Sequence, residues 1–332
     1  MKLRIAFVGF RHGHIYELLD AAEASPHVEV VARCEEDAAT REKLKAEGKV
    51  EITHTSYDQL LAEVPCDIIA TGAVYGERGA ILIKALKAGK HIISDKPLCT
   101  RLEELDEIES LAKSKGLQVG LQLSLRSSPP MIGLRNVIRS GVIGEPVTVN
   151  VTAQHPLNLG VRPEWYFVPG QHGGTINDIG IHAFDIIPWI TGSRVSEILA
   201  ARTWNKRATP YPHFEDCAQL MAKLDNGGGV LADFSYLAPT KLGFKDPKYW
   251  EITIHGTKGV AQVCLASKEI RVVNDDDTEP RLIPLPEGTA VEYLTDFLDA
   301  IHGRPVREGG LTTEEVLKAS REALSAQAAA KP

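Results

Sequence analysis

Cysteine is scarce in this chain. The five present, Cys34, Cys66, Cys99, Cys217 and Cys264, are odd in number, far apart and never spaced C-x-x-C. That argues against a disulfide framework and reads as reduced, mostly buried thiols of a cytoplasmic protein. A basic excess is also missing. The net charge is −7, so nucleic acid is not expected as the main partner. No apolar run approaches the length needed to span a membrane. The start, MKLRIAFVGF, has the charged-then-apolar look of a signal peptide. Its apolar run is too short, however, and Arg11 and His12 follow at once, so it reads as a first strand. No internal repeat is visible. What is present is ordinary for a globular protein: 43% hydrophobic and 24% charged residues, in a chain whose length suits two domains.

The first third alternates. RIAFV, VEVVARC, CDIIAT, HIIS and LQVGLQ are strand-like apolar runs. Between them lie HIYELLDAAEA, DAATREKLKAEG, RGAILIKALKAG and LEELDEIESLAKSKG, which are helix-like. This pattern predicts a parallel sheet with helices on both faces. The texture changes at SLRSSPPM, where Ser and Pro break both periods, placing domain boundaries at 1–123 and 124–332. In the second domain a helix (GLRNVIRSG) and a strand (PVTVNVTAQ) precede an irregular stretch from His155 to His172, which could form part of a lid. One main helix follows, and then mostly strands, ending at EIRVV. This predicts a large, mostly antiparallel open sheet, with a hairpin turn at Asp225 to Gly229. Two helices, VEYLTDFLDAIHG and TTEEVLKASREALSAQ, close the chain and could pack back on the first domain. The second opens on a capping box, and the AAAKP tail is expected to fray.

Four places carry chemistry. The first strand runs into Gly9, Phe10, Arg11 and His12 and then a helix, whose N-terminal amides favour a phosphate. A dinucleotide turn wants three glycines; only Gly9 is in place, with Arg11 and His14 at the other two offsets. The second strand ends near Glu35, placed to accept hydrogen bonds from ribose hydroxyls or simply to start a helix. The fourth ends at Asp95-Lys96-Pro97, on the carboxyl edge where open α/β sheets bind ligands. The Lys-Pro bond fixes a rigid turn that could be cis. A lysine pinned there can stabilise developing negative charge. The fourth place is GGTINDIGIHAFDIIPW, with Asp178, His182 and Asp185 spaced along one helical face. They could be an acid/base pair, three metal ligands or a buried network, with Asp185 the most structural of the three. No second cluster supports a metal, and none is expected. Pro188 should kink or end this helix near Thr191-Gly192.

Taken together, these motifs resemble the Gfo/Idh/MocA oxidoreductases, over nearly the whole chain. AGKHIISDKPL is similar to the family's A-G-K-H-V-x-x-E-K-P-L, and GGTINDIGIHAFD to its G-G-G-x-x-x-D-x-x-x-H-x-x-D. SGVIGEP and HGTKGVAQV add to the likeness. The resemblance implies an α/β fold with an N-terminal Rossmann domain and a C-terminal α/β domain used for oligomerisation, giving a homodimer or homotetramer through its sheet. It implies NAD(P)-dependent oxidation or reduction of a CH–OH group in a sugar, cyclitol or related polyol. It implies that Lys96 contacts substrate and nicotinamide ribose, that Asp178 binds substrate, and that His182 transfers the proton. Cofactor contacts are then expected at Gly9, Phe10, Arg11, His12, Glu35, Thr71, Asp95, Lys96 and Gln122. There are departures. Asp95 replaces a Glu, and ATGAVYGERG lacks the Pro of the family's A-T-P-x-x-x-H, with Arg78 about where its His would be.

A carboxylate at Glu35 would repel the 2′-phosphate of NADP, so NAD is the expected cofactor and NADP the alternative. Arg33, two residues earlier, is the counter-argument. Arg126, Arg162 and Trp165 are candidate substrate contacts. Two other functions fit the sequence. One is a glycoside-cleaving or eliminating enzyme that uses NAD transiently; the other is a non-enzymatic sensor of nucleotide state. A base beside a lysine favours hydride transfer over the sensor.

Overall fold

The protein is described by a computed structural model covering residues 2–246, 248–287 and 292–331. It divides into two compact units. The first comprises Met1–Gln122, Gly170–Gly173 and Val291–Ser320, and the second Leu123–Pro169, Gly174–Ala290 and Arg321–Pro332.

The first unit runs β1 (Leu3–Phe10), α1 (His14–Ala24), β2 (Val28–Cys34), α2 (Ala38–Glu47), α3 (Tyr57–Glu63), β3 (Ile68–Gly72), α4 (Tyr75–Lys87), β4 (His91–Asp95), α5 (Leu102–Lys115) and β5 (Val119–Gln122). The strands form one parallel sheet in the order β2-β1-β3-β4-β5. Order reverses at β1, so the carboxyl ends of β1 and β3 flank the switch point where such sheets bind ligands. Ile5, Ala6, Phe7, Ile68, Ile69, Ile92 and Ile93 are wholly buried. A strand covered on both faces needs continuous apolar sequence, which is what these runs supply. Gly9 has φ +80, and a Cβ there would lie 2.7 Å from that of Ala73. The turn after β1 therefore tolerates only glycine at its first position.

The second unit begins with α6 (Pro129–Arg139) and β6 (Pro146–Pro156). After them come α7 (Ile181–Thr191), β7 (Val195–Trp204), β8 (Cys217–Leu224), β9 (Gly229–Ala238), β10 (Glu251–Gly256), β11 (Gly259–Val263), β12 (Glu269–Asn274) and β13 (Arg281–Pro284). The sheet order is β13-β12-β11-β10-β6-β9-β8-β7. Every pairing is antiparallel except β6 with β9. One face of the sheet lies over the buried α7. On the other, the register partners Met221 and Leu231 stand about half exposed.

The chain closes with α8 (Glu292–Ile301) and α9 (Thr313–Ala329). In the first unit Phe297 of α8 packs against Gly120, and Thr313 Oγ1 accepts from the Val119 amide at 2.9 Å. Val291 and Pro332, which the sequence reading assigned to the start of α8 and to the fraying tail, lie outside the described residues.

Several elements differ from the expectation. Helix α3 and strand β13 were not foreseen. Helix α4 starts three residues early, at Tyr75. His155 belongs to β6 rather than to the irregular stretch, and Tyr249 and Trp250 precede β10 in a turn. The main helix opens with a π-helical turn, Ile176–Gly180, before α7. The single α-helical face assumed for Asp178, His182 and Asp185 is therefore broken between the first and the other two. Pro188 sits inside α7, which ends at Thr191 with Gly192 left-handed. No described helix is long and apolar enough to cross a membrane.

Candidate active site

In the first unit, chemistry gathers at the carboxyl ends of the strands. The Arg11 and His12 amides both donate to the Gly72 carbonyl at 3.0 Å, tying the turn after β1 to the end of β3. Thr71 donates to Val8 O at 2.7 Å across the same pair of strands. Glu35 is buried. Its carboxylate accepts from the Phe10 amide (2.7 Å) and from the Asp37 amide (2.9 Å). It thus reaches the glycine turn as well as starting α2. The nearby arginines already have partners. Arg33 is paired with Glu23, Arg11 lies 3.7 Å from Asp37, and Arg41 donates to the carbonyls of Glu35 and Glu36. Helix α1 starts without a side-chain cap.

At the end of β4 is a buried charged cluster. His12 Nδ1 bonds Asp95 Oδ2, and its Nε2 meets the Tyr75 hydroxyl at 2.9 Å. Arg78, wholly buried, reaches the same carboxylate at 3.1 Å. Burial pushes the His12 imidazole down to about 4, against the pull of Asp95. Burial alone would raise the Asp95 carboxyl, but His12 and Arg78 outweigh it and hold it below the usual carboxylate range. With His12 neutral near pH 7, the permanent charge of Arg78 is what keeps Asp95 ionised. Lys96 is buried, its Nζ 6.0 Å from the Tyr75 ring centre, and the Lys96–Pro97 peptide is cis. Gln122 ends β5 and donates to Glu17 at 2.9 Å. Two buried acceptors at these strand ends, Asp95 Oδ1 and Gln122 Oε1, lack a hydrogen-bond partner among the described residues.

In the second unit, Asp178 lies on the π turn and His182 in the first turn of α7, both buried. A π turn is rare and often marks a functional site. Here it is sealed by Gly174 (φ +94), against which Gln327 of α9 packs. Gln327 Oε1 accepts from the Ile176 amide at 2.9 Å. The Tyr236 hydroxyl donates to Asp178 Oδ2. Burial, and then the Asp178 charge, hold the Tyr236 phenol well above its ordinary value, so it remains a donor. Arg162 lies over the rings of Tyr166 (4.5 Å) and Tyr236 (5.0 Å) and donates to the carbonyls of Leu157 and Pro156. Trp165 is buried against Tyr166. The Trp250 indole meets the His182 imidazole edge-on at 5.6 Å. Trp250 has φ +51, a conformation costing a bulky residue about 1–3 kcal/mol and found mostly where function requires it.

Arg126, expected as a substrate contact, is buried with its guanidinium 2.6 Å from Asp185. That pair accounts for Asp185 as a structural anion. Among the described residues no group of three His, Cys, Asp or Glu side chains could hold a metal ion. Sequence reasoning missed Tyr236 and Trp250, and treated His155 only as part of a loop. His155 stacks edge-on with Tyr236, Phe244 and Tyr249.

Residues 3–123 match the model of an oxidoreductase family with an NAD-binding Rossmann fold, and residues 131–262 match the Gfo/Idh/MocA C-terminal domain. The chain belongs to the Gfo/Idh/MocA family. It is therefore a member of an NAD-binding oxidoreductase family. Trans-1,2-dihydrobenzene-1,2-diol dehydrogenase of Oryctolagus cuniculus is 24% identical over 320 residues, 94% of this chain and 92% of that one. 1,5-Anhydro-D-fructose reductase of Ensifer adhaerens is 25% identical over 292 residues, 85% of this chain and 84% of that one. The chain spans 66% of the length of another relative, an uncharacterized oxidoreductase of Bacillus subtilis. The fold is shared with an aldose-aldose oxidoreductase from Caulobacter crescentus complexed with glycerol. That likeness has a TM-score of 0.76 at 20% identity, over 99% of this chain and 98% of that one.

Proposed function

We propose that this protein exchanges a hydride between NAD and a CH–OH group of a sugar, cyclitol or related polyol. The carrying observation is the buried Asp178, on the π turn that leads into His182 and bonded there by Tyr236 of β9. A carboxylate kept in place by a phenol can accept from a substrate hydroxyl, and an imidazole four residues on can take the hydroxyl proton. Lys96 at the end of β4 supplies a positive charge for a substrate oxygen as it becomes alkoxide-like. The names of the two curated relatives, one acting on a diol and one on an anhydro sugar, support the substrate class.

The first unit's side chains fit the dinucleotide. The uncapped start of α1 suits the pyrophosphate, Glu35 the adenosine ribose, and the unsatisfied Asp95 Oδ1 and Gln122 Oε1 the polar remainder. When bound, the nicotinamide ring supplies the hydride exchange; the protein supplies position and charge. Glu35 and the prior engagement of Arg11, Arg33 and Arg41 favour NAD over NADP. We further propose that the half-exposed face bearing Met221 and Leu231 joins copies of this chain as a dimer or tetramer.

The test is a panel of diols, cyclitols and sugars, including 1,5-anhydro-D-fructose, followed by dinucleotide absorbance. His182→Ala should fold normally and lose about 10²–10⁴-fold in kcat, as removal of a positioned base does. Unchanged turnover at optimal pH would remove His182 from the role.

A further inference from the structure

We infer that Arg78 is a positioning residue for Lys96, an inference that rests on Lys96 serving the reaction. Its Nη1 donates to the carbonyl of Asp95 at 2.6 Å and to that of Pro97 at 2.9 Å. Those two residues bracket Lys96. Nη2 reaches Asp95 Oδ2 at 3.1 Å, and Nε donates to Ala73 O at 2.8 Å. One planar guanidinium thus holds the chain on both sides of the lysine and ties it to the start of α4.

The geometry also accounts for the departure at this position. A histidine has two ring nitrogens and cannot reach four acceptors; a lysine has its three donors on one atom and cannot also reach the Ala73 carbonyl and Asp95 Oδ2, which Nε and Nη2 hold. A buried guanidinium would be costly without a counter-charge, and Asp95 supplies one. Asp95 is in turn bonded by His12, so the clamp connects the lysine turn to the glycine turn. Lys96 and Arg78 share the Tyr75 ring, with Arg78 4.5 Å from its centre. With its backbone fixed at both neighbours, the lysine side chain leaves the strand in one direction.

The experiment is a double-mutant cycle of Arg78→Lys and Arg78→His with Lys96→Ala, read in four ways. These are kcat and KM on the best panel substrate, dissociation constant for NAD, thermal unfolding, and mass-spectrometric labelling of Lys96 by a small amine-reactive reagent without dinucleotide. Each Arg78 variant should lower kcat by about 100-fold, the scale of a misplaced catalytic group. NAD affinity should fall by less than kcat does, and Lys96 labelling should rise. In the Lys96→Ala background the Arg78 change should cost nothing further, because the residue it positions is gone. Additive losses, unchanged labelling, or losses that follow thermal instability alone would overturn the assignment. So would failure of both Arg78 variants to fold. Full activity of Lys96→Ala would instead sink the role given to Lys96, and the labelling arm alone would then decide whether Arg78 holds it.

Discussion

Lowering the pH should destabilise this protein through His12. In the folded chain its imidazole is pushed down to about 4, whereas an exposed imidazole titrates near 6.5. The unfolded chain therefore binds the proton first. Stability is full above about pH 6.5, falls as the pH drops below it, and levels off near 4. Working the linkage between those two values gives a loss of about 2 kcal/mol from about pH 7.5 to pH 5. Asp95 does not offset it in this window, because its unfolded carboxyl titrates lower still. The physical cause is desolvation. A proton on His12 would place a second cation beside Arg78, with one carboxylate to share. The assay is urea unfolding of the wild type and of His12→Gln at a series of pH values, comparing midpoints at constant slope. The variant lowers stability at pH 7.5 by losing the bond to Asp95, but its pH profile should be flatter by about 2 kcal/mol. A wild-type profile no steeper than that of the variant would refute the reasoning and imply a charged imidazole paired with Asp95.

Tyr236→Phe keeps the ring under Arg162 and removes the hydroxyl on Asp178. It should cost about 1.5–3 kcal/mol, the range for a bond to a charged acceptor, and lower kcat along with stability; an unchanged melting temperature would count against the pair. Gly174→Ala forces a Cβ at φ +94 to 2.1 Å from Gln327. A loss of about 1–3 kcal/mol is expected, read by calorimetry, and an intact melting point would show that the π turn can relax. Glu35→Ser should raise kcat/KM with NADP relative to NAD, and no change in that ratio would reduce Glu35 to the start of α2.

Much of the fold was legible because apolar periodicity records burial. HIYELLDAAEA and VEVVARC coincide with α1 and β2, whose buried faces repeat at the helical and strand periods. Helix α3 was missed because seven residues are too few to show a period. Strand β13 was missed because an exposed four-residue edge carries little apolar signal. The chemistry was legible only where it sits in short motifs. Tyr236 looked like any inward residue of β9; its partner lies 58 positions away. Nothing in the sequence marks Trp250 as left-handed, because that conformation is imposed by packing against the propensity of the residue. The pairing of Arg126 with Asp185 was not legible either, because the two are 59 positions apart.

The seal on the π turn has a consequence for biosynthesis. Ile176 is held by Gln327, 151 residues later, and β5 of the first unit is held by Thr313. Both units are thus completed by the segment from α8 onward, which is synthesised after both sheets. Contacts of such long range are slow to form, and until they do, each unit exposes surface that these helices cover. A nascent chain can build both sheets yet still lack the turn that carries Asp178. Any fusion placed after α9 that draws Gln327 from its seat would yield a protein with its strands in register and the turn that carries Asp178 unsealed.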